Sequence, residues 1–163
     1  MAILFWGVNK ILEDGTRSKT EKETKYFFLS NFAPSPIKAT FFGKDITFPT
    51  AEHYYQANKF PDDETKFMEI AAAKSPRQAA NKGREFSGLR PDWKTARDEI
   101  MEAALMLKFS QNPDLARQLK DTGTEEIIEA SSRDNHFGWG KNHKGENVLG
   151  KLLMKTRNYL STT

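Results

Sequence analysis

The sequence predicts an α+β fold in which a small antiparallel sheet packs against several helices. The first third of the chain alternates in the manner of strands and is rich in β-branched and aromatic residues. The remainder shows helical periodicity with capping residues. A length of 163 residues suits one domain, and no repeat, low-complexity segment or linker divides it. We therefore expect residues 1–163 to form a single domain.

Strands are predicted in the first third and once more near the C-terminal helix. Gly43, Lys44 and Asp45 supply a hairpin turn inside the longest of these segments. The segments, rich in β-branched and aromatic residues, are ILFWGV (3–8), KYFFLSNF (25–32), IKATFFGKDITF (37–48) and the brief EIIEA (126–130).

Helix starts follow from capping residues, which are Thr50, Asp62 or Asp63, Ser75 followed by Pro76, and Asn112 followed by Pro113. The first helix must stop near Phe60, because Pro61 disfavours a helical residue before it. Gly83 suits the end of the third helix, and the helix after Pro113 ends near Gly123. The longest helix places one apolar face at Trp93, Ala96, Ile100, Ala104 and Leu107. The C-terminal helix is marked by Val148, Leu149, Leu152, Leu153 and Tyr159.

Composition excludes several classes of protein. No apolar run approaches the roughly 20 residues of a membrane span, so membrane insertion is excluded. The start, MAILFWGVNK, lacks a basic first region and is interpreted as a strand rather than a signal peptide, which makes the cytoplasm the expected location. The absence of cysteine excludes disulfides, thiolate nucleophiles and cysteine-ligated metals. The net charge of +3 comes from interspersed acids and bases, which predicts no extended nucleic-acid face but allows a local phosphate pocket.

The stretch TAEHYYQANKF (50–60) carries more polar chemistry than a core helix needs. On a helix Glu52, Gln56 and Lys59 lie at i, i+4 and i+7, with Tyr55 beside them. This polar stripe is either a solvated face or part of a site.

The stretch SSRDNHFGWGKNHKGENVLGK (131–151), called the late loop from here on, is also unusual. It combines Asp134 with glycine-flanked aromatics, Phe137 and Trp139, followed by Gly140 and by Asn147 before the last helix. Glycines let a ligand approach the backbone, and an aromatic ring can stack on a flat base. The alternative is that Trp139 folds back onto the core. The loop's histidines have no third ligand at suitable spacing, so we expect no metal and no other cofactor.

Several ordered motifs resemble the NADAR family, and the resemblance extends over nearly the whole chain. They are FLSNF (28–32), TAEHYYQANKF (50–60), SPRQAANKGRE (75–85), DWKTARDEIMEAALMLKFSQNPDL (92–115), DNHFGWG (134–140) and GENVLGKLLMKTR (145–157). The resemblance implies hydrolysis of a ribosyl N-glycosidic bond, either in phosphorylated early intermediates of riboflavin biosynthesis or in ADP-ribose attached to guanine bases. A third hypothesis is a binding module for NAD or ADP-ribose without turnover, against which the two carboxylates Glu52 and Asp134 argue.

Active-site residues are implied residue by residue from the family motifs. Glu52, Trp93 and Asp134 are the implied active-site positions, and Lys59 is a further candidate. The family's late loop usually has Asp, two variable residues, Trp, Gly, a variable residue and Gly. This chain has Phe137 at the tryptophan position and Trp139 two residues later, so the stacked ring is the least certain element carried over.

The residue types suit cleavage of a C–N bond. A carboxylate can stabilise the positive charge that develops on the sugar, and glycosidases often pair two carboxylates. A protonated carboxyl, His53 or Lys59 can supply a proton to the leaving base, or Lys59 can attack the sugar as a free amine and form an imine. Candidates for binding a phosphoribosyl small molecule are Asn31, Phe32, Tyr55, Gln56, Arg84, Trp93, Phe137, Trp139, Gly140 and Asn147. Nucleic acid is a partner only under the guanine hypothesis.

Overall fold

The computed structural model of the chain describes residues 1–5 and 25–163. They form two compact units, one within residues 1–33 and 114–163 and the other comprising residues 34–113. The elements are β1 (Ala2–Phe5), a 3-10 helix (Phe27–Leu29), β2 (Ile37–Phe41), β3 (Lys44–Phe48), α1 (Ala51–Ala57), α2 (Glu64–Ala71), α3 (Pro76–Glu85), α4 (Trp93–Gln111), α5 (Pro113–Asp121), β4 (Glu126–Glu129) and α6 (Val148–Thr162). The α+β class is therefore confirmed. Across the described residues, no helix is long and apolar enough to cross a membrane.

The antiparallel hairpin of β2 and β3 forms as predicted. Its turn is Phe42 and Gly43, with φ of 53° and 69°, rather than residues 43–45. A two-residue loop with both residues left-handed follows the twist of the strands, which explains the earlier turn. The Phe42 ring lies edge-on against Phe67, with 5.3 Å between ring centroids, and this contact offsets part of the backbone strain.

The core of the 34–113 unit is an aromatic cluster beneath α1. Phe48 and Phe67 are fully buried. Phe48 meets Tyr54 edge-on at 5.2 Å between centroids, and Phe41 lies 4.7 Å from Phe67. Because Tyr54 belongs to α1, these contacts hold that helix against the hairpin.

The predicted helix caps are largely confirmed. Thr50, Asp63 and Ser75 each accept a hydrogen bond from the backbone N–H three residues on, with Pro76 in the first turn of α3. The first helix ends at Ala57, about one turn before the predicted stop at Phe60, and tight turns continue the chain to that residue.

The buried face of α4 differs from the predicted stripe. Of the predicted residues only Ala104 is buried, and the others are half-buried. The buried residues are Met101, Ala104, Leu105, Lys108 and Phe109. The stripe marks one flank of a wider buried face, since Ile100 and Leu107 still pack against the core.

The other unit contains a parallel strand pair that the sequence did not predict. β1 pairs with β4 in the register Ala2 to Glu126 through Phe5 to Glu129. EIIEA is thus confirmed as a strand, and ILFWGV is confirmed up to Phe5, while residues 6–8 lie outside the described residues. The single small antiparallel sheet of the prediction is accompanied by this second sheet.

The segment 25–32 is not the strand that its aromatic content predicted. Leu29 and Ser30 donate to carbonyls three residues earlier, which makes a 3-10 helix at Phe27–Leu29. The N–H of Phe32 then bonds to Ser30 Oγ at 3.1 Å, a local turn that competes with strand pairing.

Helix α6 packs closely onto β4 at Gly150. A methyl group added there would lie 2.1 Å from the carbonyl oxygen of Ile127. Because that oxygen belongs to the strand backbone, it cannot move aside as a flexible side chain would.

Gly150→Ala should destabilise the protein even though alanine is the better helix former. The added carbon collides with the β4 backbone, and overpacking of this kind costs about 1–3 kcal/mol. Urea unfolding of this variant beside Lys151→Ala, an exposed neighbour on α6, measures the effect. Equal or greater stability of Gly150→Ala would show that the helix does not approach the strand so closely.

Candidate active site

The polar stripe of residues 50–60 lies on a buried helix rather than a solvated one. Six of the seven α1 residues are buried, and Glu52 is half-buried. The solvated-face alternative is therefore wrong, although the Glu52–Gln56 contact that it included is present.

Gln56 holds the carboxylate of Glu52. Its Nε2 donates to Glu52 Oε1 at 2.7 Å, one turn away on the same helix. Its Oε1 is buried beside Gly83, where an added Cβ would lie only 2.0 Å from that oxygen. Gly83 is thus not the predicted helix end, since α3 continues to Glu85. The missing side chain of Gly83 leaves the slot that the Gln56 amide occupies.

The surroundings of Lys59 make its ammonium group easier to deprotonate than that of an exposed lysine. Burial lowers the pKa of Lys59, and the charge of Arg84 lowers it further, while the charge of Glu52 opposes both. The Lys59 Nζ stands 5.4 Å from the ring centroid of Trp93. Carboxylate, amine and indole therefore form one cluster.

Trp93 is held in this cluster by both its ring and its backbone. Its half-buried ring lies 5.0 Å from the ring of Tyr55. Its N–H donates to the carbonyl of Arg90 at 3.2 Å, and the N–H of Arg90 donates to the carbonyl of Lys59 at 3.0 Å. This backbone link ties the start of α4 to the residue that carries the amine. Arg84, an exposed residue of α3, donates a hydrogen bond to Asn81 Oδ1, and its charge is near enough to act on Lys59.

In the other unit, backbone amides hold Asp134 in the late loop. Its Oδ1 accepts from the N–H groups of His136 and Phe137 at 2.9 and 2.8 Å. The half-buried carboxylate thereby closes the turn that carries Phe137. The two hydrogen bonds fix the orientation of the Asp134 side chain relative to its own turn.

The two aromatic rings of the late loop are half-buried. Trp139 stacks on His143 with 3.8 Å between ring centroids and 14° between planes, so the histidine covers one indole face. Phe137 meets His136 edge-on at 4.7 Å. Trp139 is therefore neither a fully exposed platform nor a core residue, the two predicted alternatives, but a half-buried ring stacked on His143.

Gly140 and Asn147 shape the late loop from within. Gly140 has φ of +70°, and an added Cβ would lie 1.9 Å from Asn135 Oδ1. The Asn147 side chain bridges β4, accepting from the N–H of Glu129 and donating to the carbonyl of Ile127, both at 3.0 Å. Both amide groups of Asn147 are thus occupied by the strand backbone. Asn31 and Phe32 follow the 3-10 helix directly, the first buried and the second half-buried.

His53 has a structural position that excludes it as the proton donor considered from the sequence. Its Nδ1 lies 2.8 Å from Thr50 Oγ1, and its Nε2 lies 2.9 Å from the carbonyl oxygen of Ala73. A carbonyl only accepts, so Nε2 carries the proton and Nδ1 accepts from the hydroxyl. Burial lowers the pKa of His53, which keeps the ring neutral.

Glu129 is an acid that sequence reasoning missed. It ends β4 with 7% of its surface exposed, and burial raises its pKa to about 7. The only local indication in the sequence is that Glu129 follows two isoleucines in EIIEA, and this pattern does not by itself predict a buried acid. Throughout residues 1–5 and 25–163, no three His, Asp or Glu side chains gather in a way that would hold a metal ion.

Comparison with known proteins assigns the family. The family model for the NADAR domain matches residues 18–161. The chain belongs to the NADAR family. N-glycosidase YbiA of Escherichia coli strain K12 is 37% identical over 155 residues, 94% of this chain and 94% of that protein. The chloroplastic riboflavin biosynthesis protein PYRR of Zea mays is 39% identical over 145 residues, 82% of this chain and 23% of the maize protein.

A solved NADAR structure has the same fold. The NMR structure of E. coli YbiA matches with a TM-score of 0.75 at 36% identity, over 99% of this chain and 88% of that one. The family predicted from the ordered motifs is therefore confirmed. The roles of the individual NADAR motif residues stay predictions.

The buried His53 should make stability fall in mild acid. Its folded pKa lies below the ordinary value of 6.5, so the unfolded chain binds the proton more readily. Its share of the unfolding free energy is therefore complete above pH 6.5 and is lost as pH falls below that value. Urea unfolding between pH 8 and pH 5 should show a steeper decline for wild type than for His53→Gln, which cannot titrate. Parallel declines would contradict the assignment, since His136 and His143 remain in both proteins.

Proposed function

We propose that this NADAR protein hydrolyses the ribosyl N-glycosidic bond of phosphorylated early intermediates of riboflavin biosynthesis. The products are ribose 5-phosphate and the aminouracil or aminopyrimidine base. The general activity, hydrolysis of N-glycosyl compounds, follows from the family and from the YbiA relatives that span nearly the whole chain. The name of the maize relative supports the riboflavin substrate class.

The observation that carries the proposal is the cluster of Glu52, Lys59 and Trp93. Glu52 is held by Gln56 at 2.7 Å, and Lys59 stands over Trp93. Breaking the C–N bond puts positive charge on the sugar, which a fixed, half-buried carboxylate stabilises. The same carboxylate can orient or deprotonate the attacking water.

Lys59 supplies the second function of the cluster. As an ammonium it donates a proton to the departing base, while its lowered pKa makes that proton easier to give up. The route in which the free amine attacks the sugar and forms an imine ranks second for a small phosphorylated substrate. Trp93 offers a flat surface against which the base can stack.

The remaining roles follow from the family motif and from charge. Asp134 is assigned as a second active-site carboxylate because it matches the family's aspartate. Arg84 is exposed, and its permanently charged guanidinium can donate two hydrogen bonds to a phosphate. It is therefore the proposed partner of the sugar phosphate. The partner is a small molecule, and no cofactor is invoked.

The substrate is tested with the purified protein and the phosphoribosylaminouracil intermediate. We expect wild type to release free base and ribose 5-phosphate. Glu52→Gln should turn over at least about a hundredfold more slowly, because the amide keeps the shape and loses the charge. Glu64→Gln, an exposed acid of α2, is the matched control. Activity of Glu52→Gln within about threefold of wild type would remove Glu52 from the catalytic groups.

The slot at Gly83 is tested by a double-mutant cycle. Gly83→Ala should lower kcat on the order of ten- to hundredfold with little change in KM, because its methyl displaces the Gln56 amide and removes the hydrogen bond from that amide to Glu52. Gln56→Ala should cause a similar loss. Adding Gly83→Ala to Gln56→Ala should cost nothing more, since no amide remains to be displaced. Losses that multiply in the double variant would show that Gly83 acts by another route.

A further inference from the structure

The backbone of Glu129 is fixed on both sides. Its N–H donates to Asn147 Oδ1 at 3.0 Å, and its carbonyl accepts from the N–H of Trp139 at 3.0 Å. Strand pairing with β1 holds the residue as well, in register with Phe5. The point from which the Glu129 side chain starts is therefore fixed relative to the late loop.

The Glu129 carboxyl sits in a space left by a glycine. A Cβ added at Gly138 would lie 2.3 Å from Glu129 Oε2 and 3.0 Å from the backbone oxygen of Asp134. One backbone amide, that of Ser131, donates to Oε2 at 3.2 Å. By contrast, Asp134 Oδ1 receives two amides. The loop thus provides better for charge on Asp134 than on Glu129.

Electrostatics also disfavour a negative charge on Glu129. Burial is the main cause that raises the pKa of Glu129 to about 7, and the charge of Asp134 adds to it. Other charged groups on the neighbouring elements are engaged or exposed. The Met1 amino group pairs with Glu125, Arg157 of α6 binds Thr122 and the Glu125 carbonyl, His136 pairs with Glu146, and Arg133, Lys151 and Lys155 are exposed.

We propose that Glu129 is a positioning residue of the late loop, which acts as a neutral carboxylic acid and keeps Asp134 in its working position. Ionisation of Glu129 places a second negative charge in a buried space beside Asp134. The repulsion and the need for water then open the contact at Gly138, and the turn closed by Asp134 shifts with it. The inference rests on the proposed function, in which Asp134 is an active-site carboxylate.

Glu129→Gln should reproduce the neutral state permanently. Relative to Glu129→Gln, wild-type kcat/KM should fall roughly tenfold per pH unit above about pH 7, because any decline caused by deprotonation of Lys59 occurs in both proteins. The two proteins should agree within about threefold at pH 6, where Glu129 is protonated in wild type. Glu126→Gln, an exposed acid of the same strand, is the matched control and should keep the wild-type profile.

Unfolding provides a readout that needs no substrate. The folded pKa of Glu129 lies above its ordinary value of 4.5, so its contribution is complete below pH 4.5 and is lost as pH rises through about 7. The unfolding free energy of wild type should therefore fall relative to Glu129→Gln between pH 5 and pH 8.

Each outcome decides something different. A wild type without turnover refutes the proposed function, and the unfolding comparison then decides the state of Glu129 alone. An active wild type whose kcat/KM keeps a constant ratio to that of Glu129→Gln from pH 6 to pH 9 overturns the inference. So does a Glu129→Gln variant that is folded but inactive at pH 6, which would make the acid itself the proton donor. Failure of Glu129→Gln to fold at pH 6 also overturns it, because a neutral amide should fit the space of a neutral acid.

Discussion

Helix α1 brings polar side chains into the interior of its unit, and each must find a hydrogen-bond partner there. A buried polar group without one costs more than most single contacts provide. His53 meets this requirement between Thr50 and the Ala73 carbonyl, and Asn58 donates to the carbonyl of Tyr54. The bond from His53 to the Ala73 carbonyl joins α1 to a residue outside the helix, so it restrains the rotation of the helix and with it the direction of Glu52. The structural histidine and the candidate catalytic acid are thus two results of one constraint.

The two units hold their candidate carboxylates by different means. Glu52 accepts a hydrogen bond from a side-chain amide, that of Gln56, whereas Asp134 accepts hydrogen bonds from backbone amides of its own turn. A side-chain support can be removed by a single substitution, but a backbone support can be removed only by reshaping the loop. The buried ionisable groups also have opposite effects on stability. Burial lowers the pKa of His53, so its contribution is lost in acid, and burial raises the pKa of Glu129, so its contribution is lost in base.

Local signals were enough to predict much of this molecule. Capping at Thr50 and Ser75 was predictable because the bonds span three residues. The pairing of β1 with β4 was not predictable, because the two strands are distant in the chain and a short apolar run does not indicate which strand it pairs with. The segment 25–32 was wrongly predicted as a strand, because its aromatic content is typical of strands and the prediction did not consider the hydrogen bond that the Ser30 hydroxyl accepts from the N–H of Phe32. Spacing grouped Glu52, Gln56 and Lys59, but the burial of Glu129 is tertiary and leaves no local trace.

The parallel pairing of β1 with β4 also bears on the order in which the chain can fold. Residues 34–113 form a continuous unit, so all of its contacts are available once that stretch has left the ribosome. The other unit joins residues 2–5 to residues 126–129 and cannot close its sheet until the later strand is made. Closing so long a loop is slow, and an intervening unit that is already compact shortens the effective search. Strand β1 of the enzyme therefore stays unpaired with β4 until residues 126–129 have been synthesised.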